Sequence, residues 1–546
     1  MYAIEQEISD GAQMLPIVEI GRRLGLADDL LEPFGHYMAK IDPWHPEMPV
    51  AETQGKVILV TAINPTPAGE GKTVTSIGLN DALCQLGKRS VLCLREPSLG
   101  PYFGNKGGAT GSGQAQIAPS QRINTHFTGD FHAITSAHNL LAALIDNVLF
   151  RDNSIGLDPE SVTWSRVLDM NDRALRHIVT GLGGKANGVT RETGFEITAA
   201  SEIMAIVALS ENVDDLKARL SNMVIGRHRT ENRFIYAYEL GCINAMVLLL
   251  KEALKPNLVQ SLEHNPVLMH AGPFANIAHG CNSVVATKTA MNLGDYVVTE
   301  AGFGSGLGAE KFFNIKCRQS AIKPSAVVCV VTVRSLKMHG GVPKNALSAP
   351  NLDAVKEGLS NLGRHLENIT QFGLPSVVAI NHMFGDSEAE INAIEEYCRL
   401  RSVHAVLAKH WAEGGQGAQL LAQTVIDVID NQPNFFKPLY ADDMALMDKM
   451  QTIATKVYQA KDVEFSAKAK KQIKEIEAAG WGHLPVCMAK TQYSFSADPS
   501  VLGAPVGHTL PIREIKLSSG AGFVVALCGD MMTMPGLSKH PSALDM

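Results

Sequence analysis

Short uninterrupted runs of apolar residues mark the predicted core strands of this chain. KVILVTAI (56–63) is rich in β-branched residues and lacks polar alternation, as expected of a strand buried on both faces of a parallel sheet. A helix predicted over 72–87 separates it from a second run, RSVLCL (89–94). Four later runs have the same character: YVVT (296–299), AVVCVVTV (326–333), PSVVAIN (375–381) and SVHAVLA (402–408). Because the intervening segments have room for helices, the pattern predicts an α/β protein with a mainly parallel sheet.

Helical stretches are expected on either side of this strand-rich region. Residues 14–31 place several aliphatic side chains on one face of a helix, and the Lys-rich run 443–479 also reads as helical. A chain of 546 residues has room for about three or four domains. We place boundaries near 362 and 450. They give a large first domain (1–362), a second α/β domain (363–450) and a C-terminal α/β domain (451–546).

Composition and charge narrow the class of protein. The formal net charge is -7, with 55 acidic and 48 basic residues, so no broad basic surface for nucleic acid or an anionic membrane is expected. The longest apolar runs are shorter than the roughly 18 residues of a membrane span, and the first ten residues do not read as a secretory signal. Nine scattered cysteines without a CxxC pair indicate reduced thiols. We expect a cytoplasmic protein.

The segment between the first strand and its helix, NPTPAGEGKT (64–73), carries the features of a phosphate-binding loop. Its glycines let backbone N–H groups approach phosphate oxygens, and the N-terminus of the helix directs its dipole at the same place. Lys72 is expected to reach the β- and γ-phosphates of a nucleotide, and Thr73 to bind magnesium. The predicted nucleotide-binding residues are Thr66, Pro67, Ala68, Gly69, Glu70, Gly71, Lys72 and Thr73. The strict pattern requires glycine where Thr66 stands, so a plain glycine turn followed by a solvent-exposed lysine is the alternative.

A second candidate lies directly after RSVLCL, where the glycine-rich segment 95–113 begins with Arg95 and also contains Lys106. Ligands of doubly wound sheets bind at the carboxyl ends of the strands. An arginine at such an end could hold both a carboxylate and the phosphoryl group that the carboxylate attacks. The alternative is a salt bridge between Arg95 and its neighbour Glu96.

The stretch HFTGDFHAITSAHN (126–139) brings three histidines and an aspartate close together in the sequence. Its spacing matches no metal-ligand pattern such as HExxH. We therefore interpret His126, Asp130, His132 and His138 as capping or buried polar residues rather than as ligands of a dedicated metal.

Two aromatic residues are expected on loops at strand ends. Phe303 follows the strand YVVT in a glycine-rich loop, and Trp411 follows SVHAVLA in KHWAEGGQG (409–417). An aromatic side chain on such a loop could stack on a flat ligand. From spacing alone, filling of the core is the preferred interpretation of both residues.

Assembled, these segments resemble the formate–tetrahydrofolate ligase family. The resemblance covers nearly the whole chain and rests on FGHYMAKI (34–41), TAINPTPAGEGKT (61–73), REPSLGP (95–101), KGGATGSG (106–113), NTHFTGDFHAITSAHNLLAALIDN (124–147), TEAGFGSGLGAEKFFNIKCR (299–318), VRSLKMHGG (333–341), AKTQYSFSADP (489–499) and CGDMMTMPGLS (528–538). It implies that formate attacks the γ-phosphate of MgATP to give formyl phosphate, which then formylates N10 of tetrahydrofolate. It also implies a P-loop domain with two smaller domains, a homotetramer, and a monovalent cation such as potassium or ammonium as activator.

The same resemblance assigns roles to individual residues. Lys72 and Arg95 would hold the transferring phosphoryl group and formyl phosphate. Phe303 and Trp411 would sandwich the pterin ring, which reverses the preference for core filling. On the pterin side the family pattern has a second phenylalanine where this chain has Met383, whose flexible side chain makes a less defined contact with a ring.

Two other functions are compatible with the phosphate-binding loop by itself. One is a P-loop ligase that phosphorylates a different small carboxylate. The other is a nucleotide-switched assembly factor without enzymatic activity. Dependence on the formyl acceptor distinguishes the first of these from a formate–tetrahydrofolate ligase.

Overall fold

One large sheet dominates the computed structural model of the chain, which describes residue 8 and residues 11–66, 69–104 and 108–546. Twelve strands of these described residues belong to the sheet, and ten of them follow one another in the order Leu31–Pro33, Ala39–Ile41, Asn257–Ser261, Pro266–Met269, Ser90–Leu94, Tyr296–Glu300, Lys56–Ala62, Pro324–Val331, Ser376–Asn381 and His404–Ala408. The pairings from Pro266–Met269 onwards are parallel. Those at the opposite edge are antiparallel. The structure confirms an α/β protein with a mostly parallel sheet.

The apolar runs form strands because both faces of the sheet are covered. All six predicted strands are present, with ends within two residues of the expected ones. In strand Lys56–Ala62, Val57 and Leu59 pack into one hydrophobic cluster and Ile58 and Val60 into the cluster on the other face. Alternate residues of a strand point to opposite faces, so an unbroken apolar run is what a doubly covered strand needs.

Helices cover the sheet and build the rest of the molecule. Their bounds are Ile17–Arg23, Lys72–Gln85, Leu99–Gly104, Ser120–Asn124, Asp130–Phe150, Glu202–Leu209, Val213–Ser221, Ile243–Leu250, Val284–Leu293, Arg318–Ser320, Val333–His339, Leu352–Gln371, Glu388–Arg399, His410–Glu413, Gln419–Asn431, Leu446–Lys456 and Ala467–Ala478. Two π-helical turns occupy Ser305–Ala309 and Phe312–Cys317. The helix expected over 14–31 is only Ile17–Arg23, followed by a 3-10 turn at Asp28–Leu30.

The prediction of one helical stretch over 443–479 is wrong for its middle residues, which form a strand. Two helices, Leu446–Lys456 and Ala467–Ala478, flank the strand Asp462–Phe465. That strand pairs in parallel with Thr509–Ile512, nearly fifty residues further along the chain. A distant pairing partner thus overrides the local helical preference, which is a weak determinant of structure.

Smaller sheets lie outside the main one. In the C-terminal region, one three-stranded sheet contains Val486–Ala489, Phe523–Leu527 and Glu514–Ser518. Earlier in the chain, two-stranded pairings link Arg166–Val167 with Phe195–Glu196, Ile178–Thr180 with Arg191–Thr193, and Val224–Arg227 with Phe234–Tyr236. A separate hydrophobic cluster lies between the C-terminal strands and their helices. The boundary expected near 362 falls inside helix Leu352–Gln371, and the strands that follow extend the main sheet. The division into domains stays a prediction.

By length and composition alone, helix Asp130–Phe150 could cross a membrane. Buried core helices of soluble proteins meet the same two criteria. Its buried residues recur every three or four positions, as on the inner face of an amphipathic helix. That face packs with Glu202–Leu209 in a shared hydrophobic cluster.

Candidate functional site

The loop at 64–73 follows strand Lys56–Ala62 and opens helix Lys72–Gln85, the order that a phosphate-binding loop requires. Gly69 and Gly71 both have φ of +77°, a conformation that other residues adopt rarely. A Cβ atom on Gly71 would lie 2.3 Å from Asn381 Nδ2, so glycine is required there for space as well. Pro67 and Ala68, which we also predicted to bind nucleotide, lie outside the described residues.

Hydrogen bonds hold the described residues of this loop in place. The Thr66 N–H donates to Glu70 Oε1 at 2.6 Å, and the Gly69 N–H donates to the Thr66 carbonyl at 3.0 Å. Asn381 Nδ2, at the end of a neighbouring strand, donates to the Glu70 carbonyl at 3.0 Å. Burial raises the pKa of the Glu70 carboxyl above its ordinary value. The position where the strict pattern has glycine is therefore occupied by a threonine whose backbone is bonded to Glu70.

Thr73, Glu300 and Arg95 meet at the end of three adjacent strands. The Thr73 hydroxyl donates to Glu300 Oε2 at 2.9 Å, and Arg95 Nη2 lies 3.9 Å from Glu300 Oε1. Arg95 Nη1 also donates to the Pro273 carbonyl at 3.2 Å. Glu300 is nearly buried, whereas Arg95 keeps about a quarter of its side-chain surface accessible. A hydroxyl, a carboxylate and a guanidinium thus stand together beside the loop.

The sheet order explains this meeting. Tyr296–Glu300 lies between Lys56–Ala62, which carries the loop, and Ser90–Leu94, which ends at Arg95. The strands Lys56–Ala62 and Ser90–Leu94 are therefore not neighbours in the sheet, although they follow one another along the chain. The sequence placed Glu300 at the end of a strand but gave it no role. Its only signal was a glutamate that terminates the run YVVT.

Arg95 is not bridged to Glu96, the alternative left open by the sequence. The Glu96 carboxylate is buried in the opposite direction, where Oε1 accepts from Asn257 Nδ2 at 3.2 Å and from the Ala271 N–H at 3.1 Å. Successive residues leaving a strand point to opposite sides, so Arg95 faces the loop and Glu96 faces the interior. Lys106, named beside Arg95 in the sequence, lies outside the described residues.

Lys72 is the first residue of the helix that follows the loop and is partly exposed. Its positive charge acts on the neighbouring Glu70, whose pKa it lowers against the larger effect of burial. The backbone N–H groups of the first helical turn have no partners within the helix and point towards the loop. The cluster of a lysine, these N–H groups and Thr73 can bind an anion with several oxygens.

The aromatic residues lie on loops at the same edge of the sheet. Because parallel strands end at one edge, the loops after Tyr296–Glu300, Ser376–Asn381 and His404–Ala408 stand beside the phosphate-binding loop. Trp411 is 48% exposed, so it is not a core residue. Phe303 is partly buried and has φ of +60°. The preference for core filling, drawn from spacing alone, is wrong for Trp411.

Met383 lies on the loop between these two. Its N–H donates to Asp386 Oδ2 at 2.9 Å, and its side chain is partly exposed. The next residue, Phe384, is 97% exposed. The loop therefore offers two apolar side chains, of which the aromatic one has almost no protein contact.

The histidines of the segment 126–139 do not form a common site. His138 Nε2 contacts the Ser165 carbonyl at 3.1 Å, and its ring stacks on Trp164 with 4.3 Å between centroids. Asp130 instead belongs to a buried group with Glu96 and His270, in which potential ligand atoms lie within 4.8 Å of one another. Lys40 Nζ lies 2.8 Å from Asp130 Oδ1 in this group.

Comparison with known proteins identifies similar sequences. The chain matches the formate–tetrahydrofolate ligase family over residues 3–546. It is 59% identical to the formate–tetrahydrofolate ligase of Paracoccus denitrificans, over 98% of this chain and 97% of the relative. It is 57% identical to that of Maricaulis maris, over 99% and 97%, and 58% identical to that of Beijerinckia indica, over 98% and 96%. These matches favour a formate–tetrahydrofolate ligase over the two alternatives, a ligase for another small carboxylate and a nucleotide-switched assembly factor.

Proposed function

We propose, from the premise that the chain belongs to the formate–tetrahydrofolate ligase family, that Thr73, Glu300, Arg95 and the loops of Phe303 and Trp411 line a cleft that is its active site. The protein is an ATP-dependent ligase that joins formate to tetrahydrofolate. The assignment of the cleft rests on two contacts, one between Thr73 and Glu300 and one between Glu300 and Arg95. It brings a P-loop hydroxyl, a carboxylate and a guanidinium to one point, as transfer of a phosphoryl group requires.

The residues of the loop have distinct tasks. Lys72 and the N–H groups at the start of helix Lys72–Gln85 bind the β- and γ-phosphates of ATP. The Thr73 hydroxyl and the Glu300 carboxylate are oxygen ligands of the kind that magnesium prefers. Magnesium bound with ATP neutralises charge on the phosphates. Glycines at 69 and 71 allow the backbone to approach those oxygens.

Arg95 acts in both chemical steps. Its guanidinium binds formate beside the γ-phosphate and offsets the repulsion between two anions. A formate oxygen attacks the γ-phosphorus, the bond to the ADP oxygen breaks, and formyl phosphate results. N10 of tetrahydrofolate then attacks the formyl carbon, the bond to the phosphate oxygen breaks, and the N10 proton is released as phosphate leaves. Arg95 stabilises the negative charge that develops on the formyl phosphate oxygens during this second attack.

Phe303 and Trp411 bind the pterin ring of tetrahydrofolate. Both lie on loops at the edge of the sheet where the phosphates bind, and Trp411 is half exposed in the protein alone. A flat heteroaromatic ring that stacks on Trp411 would cover this apolar surface. Met383 packs against the same ring from the neighbouring loop.

The buried group of Glu96, Asp130 and Lys40 suits a monovalent cation. Lys40 neutralises one carboxylate, and Asn257 Nδ2 donates to both Glu96 and Asp130. Burial and the nearby Asp130 raise the pKa of Glu96. The raised pKa favours protonated Glu96 in the protein alone, and a potassium or ammonium ion would offset the negative charge of the ionised form, so we expect cation binding to displace this proton. Both ring nitrogens of His270 already have partners, which argues against a transition metal.

The remaining expectations concern assembly and location. We propose a homotetramer, on the resemblance to the family alone. We propose a cytoplasmic location because all nine cysteines, each in the described part of the chain, are free thiols. The three-domain division with a P-loop domain at the N-terminal side is likewise proposed.

An assay of the purified chain tests the proposed site. It contains MgATP, formate and tetrahydrofolate, and the product is measured by its absorbance after acid converts it to the methenyl form. We expect product from the wild-type chain and a loss of at least about 100-fold in Lys72→Ala, because a phosphate-binding cation is lost. Lys88→Ala, three residues beyond the C-terminal end of the same helix, is the control and should retain activity. Equal rates in the two variants would contradict the assignment of the cleft.

A further inference from the structure

Two buried histidines lie next to the two aromatic loops. His365, on helix Leu352–Gln371, contacts Ser305 through Nδ1 at 2.7 Å, and Ser305 is two residues beyond Phe303. His410, directly before Trp411, contacts Thr75 Oγ1 through Nε2 at 3.1 Å. Both side chains are completely buried. Neither histidine has a role in the reaction proposed above.

The protonation of His365 follows from its neighbours. Asn64 Nδ2 donates to the Gln492 carbonyl at 2.9 Å, so Asn64 Oδ1 is the acceptor end of that amide. His365 Nε2, 3.1 Å from Asn64 Oδ1, must therefore carry a proton. Nδ1 is then the acceptor for the Ser305 hydroxyl. Burial lowers the pKa of His365 well below its ordinary value, in agreement with a neutral ring.

His410 is bound in an equivalent way. The Thr75 hydroxyl donates its only proton to the Gly71 carbonyl at 2.9 Å, so it accepts from His410 Nε2. Burial lowers the pKa of His410 to about 4, which again gives a neutral ring. A Cβ atom on Gly78 would lie 2.4 Å from the His410 Cβ. His410 is thus held closely against the helix that follows the phosphate-binding loop.

These contacts join both ends of the phosphate-binding loop to both pterin loops. Asn64 begins the loop and reaches the loop of Phe303 through His365. Gly71 ends the loop and reaches Trp411 through Thr75 and His410. A shift of Asn64 or Gly71 on binding nucleotide would therefore reach both aromatic residues, since each path consists of hydrogen bonds between packed groups followed by one or two residues of backbone.

We propose that His365 and His410 are positioning residues that couple nucleotide binding at the phosphate-binding loop to tetrahydrofolate binding at Phe303 and Trp411. This inference rests on the proposed function of those two aromatics. By linkage, a bound nucleotide raises the affinity for tetrahydrofolate by the same factor as tetrahydrofolate raises the affinity for nucleotide.

The test measures the dissociation constant of tetrahydrofolate by calorimetry on the full chain, with and without a non-hydrolysable MgATP analogue and without formate. We expect the analogue to tighten binding by about 5-fold or more in the wild type. The ratio of the two constants should fall towards one in Thr75→Val and in Ser305→Ala, which remove one hydroxyl from each link. His410→Gln keeps a donor near the position of Nε2 and should retain most of the ratio.

Thr370→Val is the matched control. The Thr370 hydroxyl donates to the carbonyl four residues earlier, as that of Thr75 does, but contacts no histidine in the described chain. This variant should keep the wild-type ratio. An unchanged ratio in both Thr75→Val and Ser305→Ala, an equal fall in Thr370→Val, or a ratio of one in the wild type would overturn the coupling. Absence of tetrahydrofolate binding both with and without the analogue would instead overturn the proposed function.

Discussion

The two sides of the proposed cleft are built differently. On the phosphate side, Thr66, Thr73 and Glu70 are held by hydrogen bonds within the protein, and Glu300 is nearly buried. On the pterin side, Trp411 and Phe384 present apolar surface to solvent, at 48% and 97% exposure. The polar groups described on the phosphate side are already in contact with one another in the protein alone. In the proposed complex, the pterin ring itself would supply the packing partner of the exposed Trp411.

This difference reflects what each side has to do. Charges that stabilise a transition state are effective when they are fixed in place beforehand, because no reorganisation is then needed during the reaction. A flat ring is bound mainly through apolar contact, which the ligand itself completes. Substitutions on the phosphate side should therefore lower kcat, and those on the pterin side should raise the KM for tetrahydrofolate.

The largest effect is expected from Glu300→Gln. Glutamine can still accept from the Thr73 hydroxyl, but it lacks the negative charge that faces Arg95 and a bound magnesium ion. We expect kcat to fall by about 100-fold or more, with a higher magnesium concentration needed for half-maximal rate. Steady-state kinetics with varied magnesium measures both.

Asp295→Asn is the control for that substitution. Asp295 immediately precedes the same strand at its opposite end and pairs with Arg89 on the surface. An exposed pair contributes about 0–1 kcal/mol, so little change in kcat is expected. If the two variants behaved alike, the phosphate side would not depend on the charge of Glu300.

Trp411→Ala should affect binding more than rate. Loss of a stacking contact of about 0.5–1.5 kcal/mol would raise the KM for tetrahydrofolate about 2- to 10-fold, with the KM for ATP nearly unchanged. Trp44→Ala, at a partly exposed tryptophan outside the cleft, should leave both constants unchanged. Equal increases in the two KM values would mean that Trp411 supports the fold of the whole cleft.

A smaller effect is expected from Met383→Phe. A rigid ring in place of a flexible thioether should lower the KM for tetrahydrofolate by about 2-fold, since less conformational freedom is lost on stacking. Phe384→Ala is the companion variant and should have no effect. The reverse result, with a raised KM in Phe384→Ala only, would show that Phe384 rather than Met383 contacts the pterin.

The smallest effect concerns stability on the phosphate side. Asp81 lies on the inner face of helix Lys72–Gln85, where Oδ1 accepts from Ser261 and Asn265 and Oδ2 is buried without a partner. Burial and the charge of Glu263 raise the pKa of Asp81 to about 7. Between pH 4 and 7 the unfolded chain loses this proton while the folded protein keeps it, so stability falls as pH rises through that range.

Asp81→Asn removes this titration while it keeps an acceptor for both donors. We expect the melting temperature at pH 8 to rise by about 1–2 °C, little change at pH 4, and an unchanged kcat. Calorimetry at the two pH values measures the difference. A melting temperature that rises equally at both pH values would exclude the raised pKa as the cause. A fall in kcat would mean that residues beyond the first turn of the helix also contribute to catalysis.

Local sequence was sufficient for the parts of the site that lie within one strand, loop and helix. The apolar run before 64, the glycines of the loop and Lys72 at the helix start predicted the strand–loop–helix order that the structure shows, because a few neighbouring residues create that geometry. The same reasoning failed for 443–479, where a strand pairs with Thr509–Ile512. It also preferred core filling for Trp411, since spacing does not indicate which loop faces solvent.

The sequence by itself thus determined the α/β class, the order of strand, loop and helix around 64–73 and, through extended motifs, the family. Only the tertiary structure decided that Glu300 contacts Thr73 and lies beside Arg95, and that His365 and His410 connect the loop to the aromatic residues. The reason is the order of strands. Tyr296–Glu300 enters the sheet between two strands more than two hundred residues earlier in the chain. Pairing over such a distance depends on the packing of the whole sheet and leaves no local pattern in the sequence.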